Sequence, residues 1–399
     1  MEFMIGLGAA CLLIRLGFSL YRTGLLRAKN AAGALLRTMT DFCVASLAFW
    51  AIGAAILFQS RSLYFSLDSH LIMFRSGGTA ELFFMMTVVL VGTGIIGGAV
   101  AERARFFPVL GASVLLAGLV IPIGAQWAWI GWLHRMDFID VGGGAWLHFS
   151  GGVCAAVAVL IIGPRTGKYH KDGSASIIPG HNVPLAGVGA IAMLVGWTPY
   201  LVGCLLLNGS REQIGPAATS TLLCAAAAGL ASTLFGRYRY GKPDVIITIM
   251  GFLGGLVAIT AGAGRLGSAA AVLLGIVAGL VVPVAAIWID LVGRIDDPIG
   301  AIAIHGVGGL LGTIATGFLV HGTIAHRLHQ TGVQVVGAMA IGLLSLLLAA
   351  ALFGLLRATM SIRVSEADEY DGLDLAEHDV GAYPDFQQNT IKSYHLREA

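Results

Sequence analysis

The chain has 399 residues, 57% of them hydrophobic and only 12% charged, with a formal net charge of +2. Soluble domains carry about 25% charged residues, so the composition excludes a soluble globular protein, and the lack of any basic tract leaves no electrostatic footprint for nucleic acid. A bilayer span needs roughly 20 mostly apolar residues. Backbone polar groups in lipid must be satisfied internally, so runs of this length read as helices rather than barrel strands.

The N-terminal stretch MEFMIGLGAACLL has no positively charged leader and no small-residue cleavage site, and is read as a retained first span at 4–26. Further apolar runs follow at 36–58, 80–100, 107–130, 142–163, 184–207, 217–235, 244–262, 269–291, 299–320 and 334–356. From 357 the tail is polar. It holds nine acidic residues, among them Glu366, Asp368, Glu369, Asp374, Glu377, Asp385 and Glu398. The expected fold is an all-α polytopic membrane protein with eleven transmembrane helices in 1–356 and a cytoplasmic tail at 357–399. The 56 glycines suit close helix approach in lipid, as in GFLGG (Gly251–Gly255) and GVGGLLG (Gly306–Gly312). The five cysteines (Cys11, Cys43, Cys154, Cys204 and Cys224) are an odd, scattered set inside apolar runs, which argues against a disulfide framework.

Orientation follows from the basic residues of the loops. With the N-terminus outside, fifteen Lys and Arg residues fall on inner loops and six, including Arg61, Arg75 and Arg135, on outer ones. That favours an outside N-terminus and a cytoplasmic C-terminus; Lys392 and Arg397 lie in the tail and Arg15 inside the first span.

One pattern occurs twice. DVGGGAWLHFSGG (Asp140–Gly152) and DPIGAIAIHGVGG (Asp297–Gly309) both read Asp, seven residues, His, two residues, Gly-Gly. The two units sit at spans five and ten. Five spans is an odd number, so the second half enters the membrane the other way up, as in an inverted 5+5 repeat plus one helix. The halves are read as 1–163 and 184–320, with the last helix at 334–356. At about 1.5 Å per residue, a His eight residues in reaches roughly 12 Å, near the midplane of a core about 30 Å thick. His148 and His305 are therefore expected to meet at the repeat interface. Ionisable groups in a span are functional by default. Two facing imidazoles can share a proton and line a narrow path for a small hydrogen-bonding solute; the alternative is that each merely bridges helices. Asp140 and Asp297 are read first as caps of free backbone N–H groups. Trp127 and Trp129 lie at the outer end of span four, either as belt aromatics or as a cation–π site beside Asp140. HGTIAHRLH (His321, His326, His329) reads as a solvated outer loop rather than a metal site. No cofactor and no enzymatic residue set is expected.

At this point the motifs resemble one family, the Amt/Mep/Rh ammonium transporters, on the Amt side. They are Gly17–Phe42, GGAVAERARF (Gly97–Phe106), Gly163–Gly189, GKPDVIITIMGFLGGLVAITAG (Gly241–Gly262), Asp296–Thr313 and the tail GLDLAEHDVGAY (Gly372–Tyr383). The resemblance implies a homotrimer in the cell's inner membrane, each protomer with its own pore for ammonium or ammonia. His148 and His305 would be twin pore histidines, Asp140 the vestibule Asp and Trp129 the cation–π Trp. The tail would dock on inner loops and couple to a PII-type partner. The gate departs from the family pattern. Val88 and Tyr200 stand where two gate phenylalanines are usual, Cys204 stands at a Ser expected to bind the cation, and Arg15 replaces an uncharged residue. These changes lead us to expect a wider, wetter mouth that also admits methylammonium, or else an ammonium sensor that signals rather than conducts.

Overall fold

Among the residues the structure describes, 2–58 and 79–384, ten helices are long and apolar enough to cross a membrane. The structure is a computed structural model. The helices are α1 (Glu2–Leu25), α2 (Ala28–Leu57), α3 (Thr79–Ala99), α4 (Phe106–Met136), α5 (Gly144–Ile162), α6 (Val183–Leu207), α7 (Arg211–Tyr240), α9 (Ser268–Leu291), α10 (Ile302–Leu319) and α11 (Ile324–Thr359), with the shorter apolar α8 (Val245–Ile259) between α7 and α9. Each expected run therefore has its helix. Arg61 and Arg75 of the outer-loop count, and Asp385, Lys392, Arg397 and Glu398 of the tail, lie outside the described residues.

Several boundaries differ from expectation, among them the start of α2 at Ala28 rather than 36 and the span of α7, Arg211–Tyr240 rather than 217–235. The run expected at 244–262 is helical over only 15 residues, about 22 Å. Asp244 fixes its start by accepting the Ile247 N–H at 2.9 Å, and the chain turns at Thr260. The last helix starts ten residues before the expected 334, because Thr323 caps it by accepting the His326 N–H at 3.3 Å. His326 and His329 therefore belong to the first turns of α11 and not to a loop. No group of three or more His, Cys, Asp or Glu side chains among the described residues is placed to hold a metal. All five cysteines are free; four are buried and Cys43 is exposed.

Glycines set the packing. Along α1 and α6, Gly17 lies against the Gly189 carbonyl, Gly24 against that of Asn182, and Gly196 against that of Ala10. Higher numbers meet lower ones, so the helices run antiparallel. The same holds for α5 against α10: Gly152 abuts the backbone of Gly306, Gly309 that of Phe149, and Gly144 faces Thr313. First helix on sixth and fifth on tenth, both antiparallel, is the arrangement that two oppositely directed five-helix units produce.

The charge of Arg15 inside the bundle is compensated locally. Arg15 in α1 is buried and paired with Asp41 of α2. Its guanidinium also donates to the carbonyls of Leu90 at 3.2 Å and Thr38 at 3.0 Å. Asp41 in turn accepts from Thr93 at 3.2 Å and from Ser113. An unpaired charge at this depth would be prohibitive; four elements share this one.

The tail docks on loops of its own chain through two short helices, α12 (Glu366–Asp371) and α13 (Leu373–His378). Asp374 accepts the backbone N–H groups of Ala32 at 2.9 Å and Gly33 at 2.7 Å, capping the free donors at the start of α2. Glu377 does the same for Phe106 at the start of α4, at 3.0 Å. Glu369 accepts the Thr166 N–H at 2.6 Å and meets Arg363 at 2.9 Å.

A Cβ at position 152 has no room beside Gly306, whereas nothing stands within 4 Å of one at position 354. Gly152→Ala should lower stability by about 1–3 kcal/mol through overpacking, and Gly354→Ala should be neutral or stabilising by up to about 1 kcal/mol. Thermal unfolding of the two variants in detergent checks this contrast.

Candidate functional site

Both histidine helices begin with a carboxylate that fixes a wide turn. The Asp140 carboxylate accepts four consecutive backbone N–H groups, those of Gly143, Gly144, Ala145 and Trp146, at 2.6–3.1 Å. Asp297 accepts from Ile299 at 3.3 Å and Ile302 at 2.6 Å. Asp140 and Asp297 are thus caps, as expected, and the oxygens of Asp140 are occupied by backbone. The turns that follow, Gly144–Phe149 and Ile302–Val307, are π-helical. His148 N–H bonds Gly143 O, five residues back, at 2.9 Å, and Gly308 N–H bonds Ala303 O over the same interval. Such π-turns recur at functional sites. Here each turn carries one histidine.

The antiparallel crossing of α5 and α10 brings the two rings together. His148 Nδ1 and His305 Nδ1 stand 3.1 Å apart, with centroids 5.1 Å apart and planes 18° from parallel. One Nδ1 must carry the hydrogen and the other accept it, so the tautomers are complementary. The His148 ring also stacks on Trp197, with centroids 5.2 Å apart. His148 is fully buried, and its Nε2 has no hydrogen-bond partner among the described residues. On the inner side His305 opens on a cavity of about 10 Å³, lined by apolar side chains such as Phe18, Leu253 and Ile304 together with Trp197 and Tyr21. Tyr21 closes the inner end by donating to Ile299 O at 2.6 Å. The pair is therefore a hydrogen-bonded dyad in apolar surroundings, with the Nε2 of His148 unpartnered among the described residues.

The residues before α5 pack closely against it, with Trp129 half-buried. Trp129 Nε1 donates to Asp140 O at 3.0 Å, and its ring meets Trp146 edge-on at 5.2 Å. Val88, Tyr200 and Cys204 are fully buried. The wider, wetter mouth is not what the structure shows at these positions. The Tyr200 hydroxyl donates to Gly142 O, so the partner it needs is a backbone carbonyl rather than water. Its ring packs edge-on against Trp197 at 5.9 Å. The position one turn before Val88 is also aromatic: Phe84 is fully buried and fills the space over Gly203.

An inner knot of charges holds the second histidine helix. Arg165 binds both oxygens of Asp296 at 2.8 Å and Glu102 at 2.8 Å. Arg27 binds Glu102 at 2.9 Å, and Arg103 donates to Asp296 O at 2.6 Å. Asp296 immediately precedes the capping Asp297. Burial opposes ionisation of the Asp296 carboxyl, but the Arg165 hydrogen bonds and charge prevail and hold it at about 2. Burial is likewise overcome at Glu102 by Arg165 and Arg27, which keep it below the usual carboxylate range.

The model of the Ammonium Transporter Family matches residues 2–383. The chain belongs to this family. Ammonium transporter Amt2 of Archaeoglobus fulgidus is 33% identical over 412 residues, covering 95% of this chain and 87% of the relative. Amt2 of Haloferax mediterranei is 32% identical over 400 residues, covering 93% and 86%. The solved Sensor Amt Protein superposes with a TM-score of 0.87 at 30% identity, covering 94% of this chain and 97% of its own. Saccharomyces cerevisiae Mep2 shares the fold, with a TM-score of 0.82 at 24% identity over 92% and 87% of the two chains. The chain is thus a multi-pass membrane member of an ammonium transporter family, whose relatives are transporters rather than enzymes.

Sequence reasoning missed Trp197 and Trp146, the rings against His148 and Trp129, although Trp146 lies within the quoted repeat. It also missed the Arg165–Asp296–Glu102 knot, whose members come from three separate loops of this family member.

The knot has an acid limit. Both carboxylates are held below their unfolded values, near 4, so their contribution is present above about pH 4 and is lost as the pH falls toward 2. Asp296→Asn should cost about 3–5 kcal/mol at pH 7 by leaving Arg165 short of a buried partner, and should flatten part of the wild-type loss of stability below pH 4. Melting temperatures in detergent across pH 2–7 read both effects.

Proposed function

We propose that the chain is an ammonium transporter. It recruits NH4+ near Trp129 at the outer face and conducts ammonia, with or without its proton, past His148 and His305. The observation that carries this reading is the 3.1 Å imidazole dyad in apolar surroundings, with His148 Nε2 buried and unpartnered. Such surroundings disfavour a desolvated cation and so favour loss of its proton. The dyad offers a hydrogen-bond partner to the small neutral molecule that remains. Asp140 acts indirectly: with its carboxylate spent on the turn, it holds Trp129 through its own carbonyl. In this reading Val88, Tyr200 and Cys204 form a tight mouth, methylammonium is the larger test solute, and Asp297 only shapes the turn before His305.

The functional unit is a homotrimer in the inner membrane, N-terminus outside, lipid around each protomer. Each protomer comprises repeat halves at about 1–163 and 184–320, a last helix and a cytoplasmic tail. The docked tail offers the surface for a PII-type regulatory protein. Its contacts with the starts of α2 and α4 support this placement.

A second reading, an ammonium sensor with little or no transport, draws on the sealed Val88–Tyr200–Cys204 mouth and on the 30% identity to the Sensor Amt Protein.

Liposomes holding the purified protein decide between them. Wild type should conduct ammonium faster than methylammonium. His148→Ala strands the His305 nitrogen at a cost of about 1–3 kcal/mol, roughly a five- to 150-fold loss of flux. Ammonium binding without flux in wild type would establish the sensor instead. Flux unchanged by His148→Ala would remove the dyad from the mechanism.

A further inference from the structure

A second polar site lies at the inner end of the bundle, under the tail. Arg22, in the last turn of α1, is 3% exposed. Its Nε has no hydrogen-bond partner, and no carboxylate stands within ion-pair distance of it among the described residues. Arg37 of α2 comes to the same place: a Cβ at Gly97 would lie 3.7 Å from Arg22 Nη1 and 4.0 Å from Arg37 Cδ. Both arginines line a cavity of about 20 Å³ with Asn30, Glu102, Glu377 and His378.

The charges around this cavity do not balance. Glu102 is committed to Arg27 and Arg165 and to the Asn30 amide at 2.9 Å. Asp41 is committed to Arg15. Glu377 gives Oε1 to the Phe106 N–H and leaves Oε2 3.6 Å from Arg37. Arg37 is therefore balanced by Glu377, and Arg22 by nothing. A guanidinium does not shed its proton, and a buried charge needs a partner. A cation, ammonium included, would be repelled by the two arginines. A water needs roughly 10–15 Å³, so a cavity of about 20 Å³ has room for one monoatomic ion.

We propose that this cavity is a halide site, in which one chloride-sized anion is bound by Arg22 and Arg37 beneath the tail helix α13. The anion completes the charge balance and joins the end of α1 to α2 beneath the docked tail. It binds the folded state alone, so it stabilises that state by mass action.

The test uses the full-length protein in detergent at constant ionic strength. Melting temperature should rise by a few degrees, saturably, as gluconate is replaced by chloride or bromide. Arg22→Gln should abolish the halide-dependent rise, and Arg22→Lys should keep part of it. Sulfate should move wild type and Arg22→Gln alike, since its effect is general exclusion from the surface. A wild type that melts equally in gluconate and chloride overturns the proposal, as does an Arg22→Gln protein with the full halide response. Should neither variant fold, wild-type crystals grown in bromide decide. An anomalous peak within hydrogen-bonding distance of Arg22 supports the site; a water there and no peak overturns it.

Discussion

The structure depends on one contact, the glycine-to-glycine crossing of α5 and α10. Gly152 and Gly306 have no side chains to hold the backbones apart, and Gly309 and Gly144 extend the seam toward the start of α5. Because the helices run in opposite directions there, a histidine eight residues from the start of each unit arrives at the same depth from opposite ends. Larger residues at the seam would move the rings beyond hydrogen-bonding distance. The Asp140 and Asp297 caps and the π-turns they stabilise set the rotation of each helix, so that both imidazoles point into the seam and not toward lipid.

The rest of the molecule keeps charge away from that seam. Arg15 is neutralised within the bundle by Asp41. Arg165, Glu102 and Asp296 form a closed group at the inner end. The tail contributes carboxylates where helices α2 and α4 expose N–H groups. In each case the ion is hydrogen-bonded on several sides, the condition under which a buried charge is tolerated. Around the dyad the lining is apolar apart from the imidazoles, the Tyr21 hydroxyl and the Trp197 indole N–H.

Much of this was legible in the sequence because the signals are long or repeated. Eleven apolar runs gave eleven helices, and the doubled Asp–His–Gly-Gly spacing located both caps and both rings. What could not be read depends on contacts between distant segments. Nothing in a single run announces that α8 stops at Ile259, or that Thr323 starts α11 a full ten residues early. The partner of Arg15 lies 26 residues away in another helix. The Tyr200 hydroxyl, expected to bring water, found the Gly142 carbonyl because α6 passes the turn that Asp140 folds. Substitution at a gate position says which group is present, and only the neighbouring backbone says whether that group opens the mouth or seals it.

The dyad is the centre of this account, and its proton is the most direct thing to measure. In nitrogen-15 spectra of histidine-labelled protein, with the two residues assigned from His148→Ala and His305→Ala difference spectra, the account predicts opposite tautomers at neutral pH. One ring should be protonated at Nδ1 and the other bare there, with an exchange-protected hydrogen between them. Two rings in the same tautomer, or two that titrate independently as solvated imidazoles, would contradict the pairing on which the proposed pathway rests.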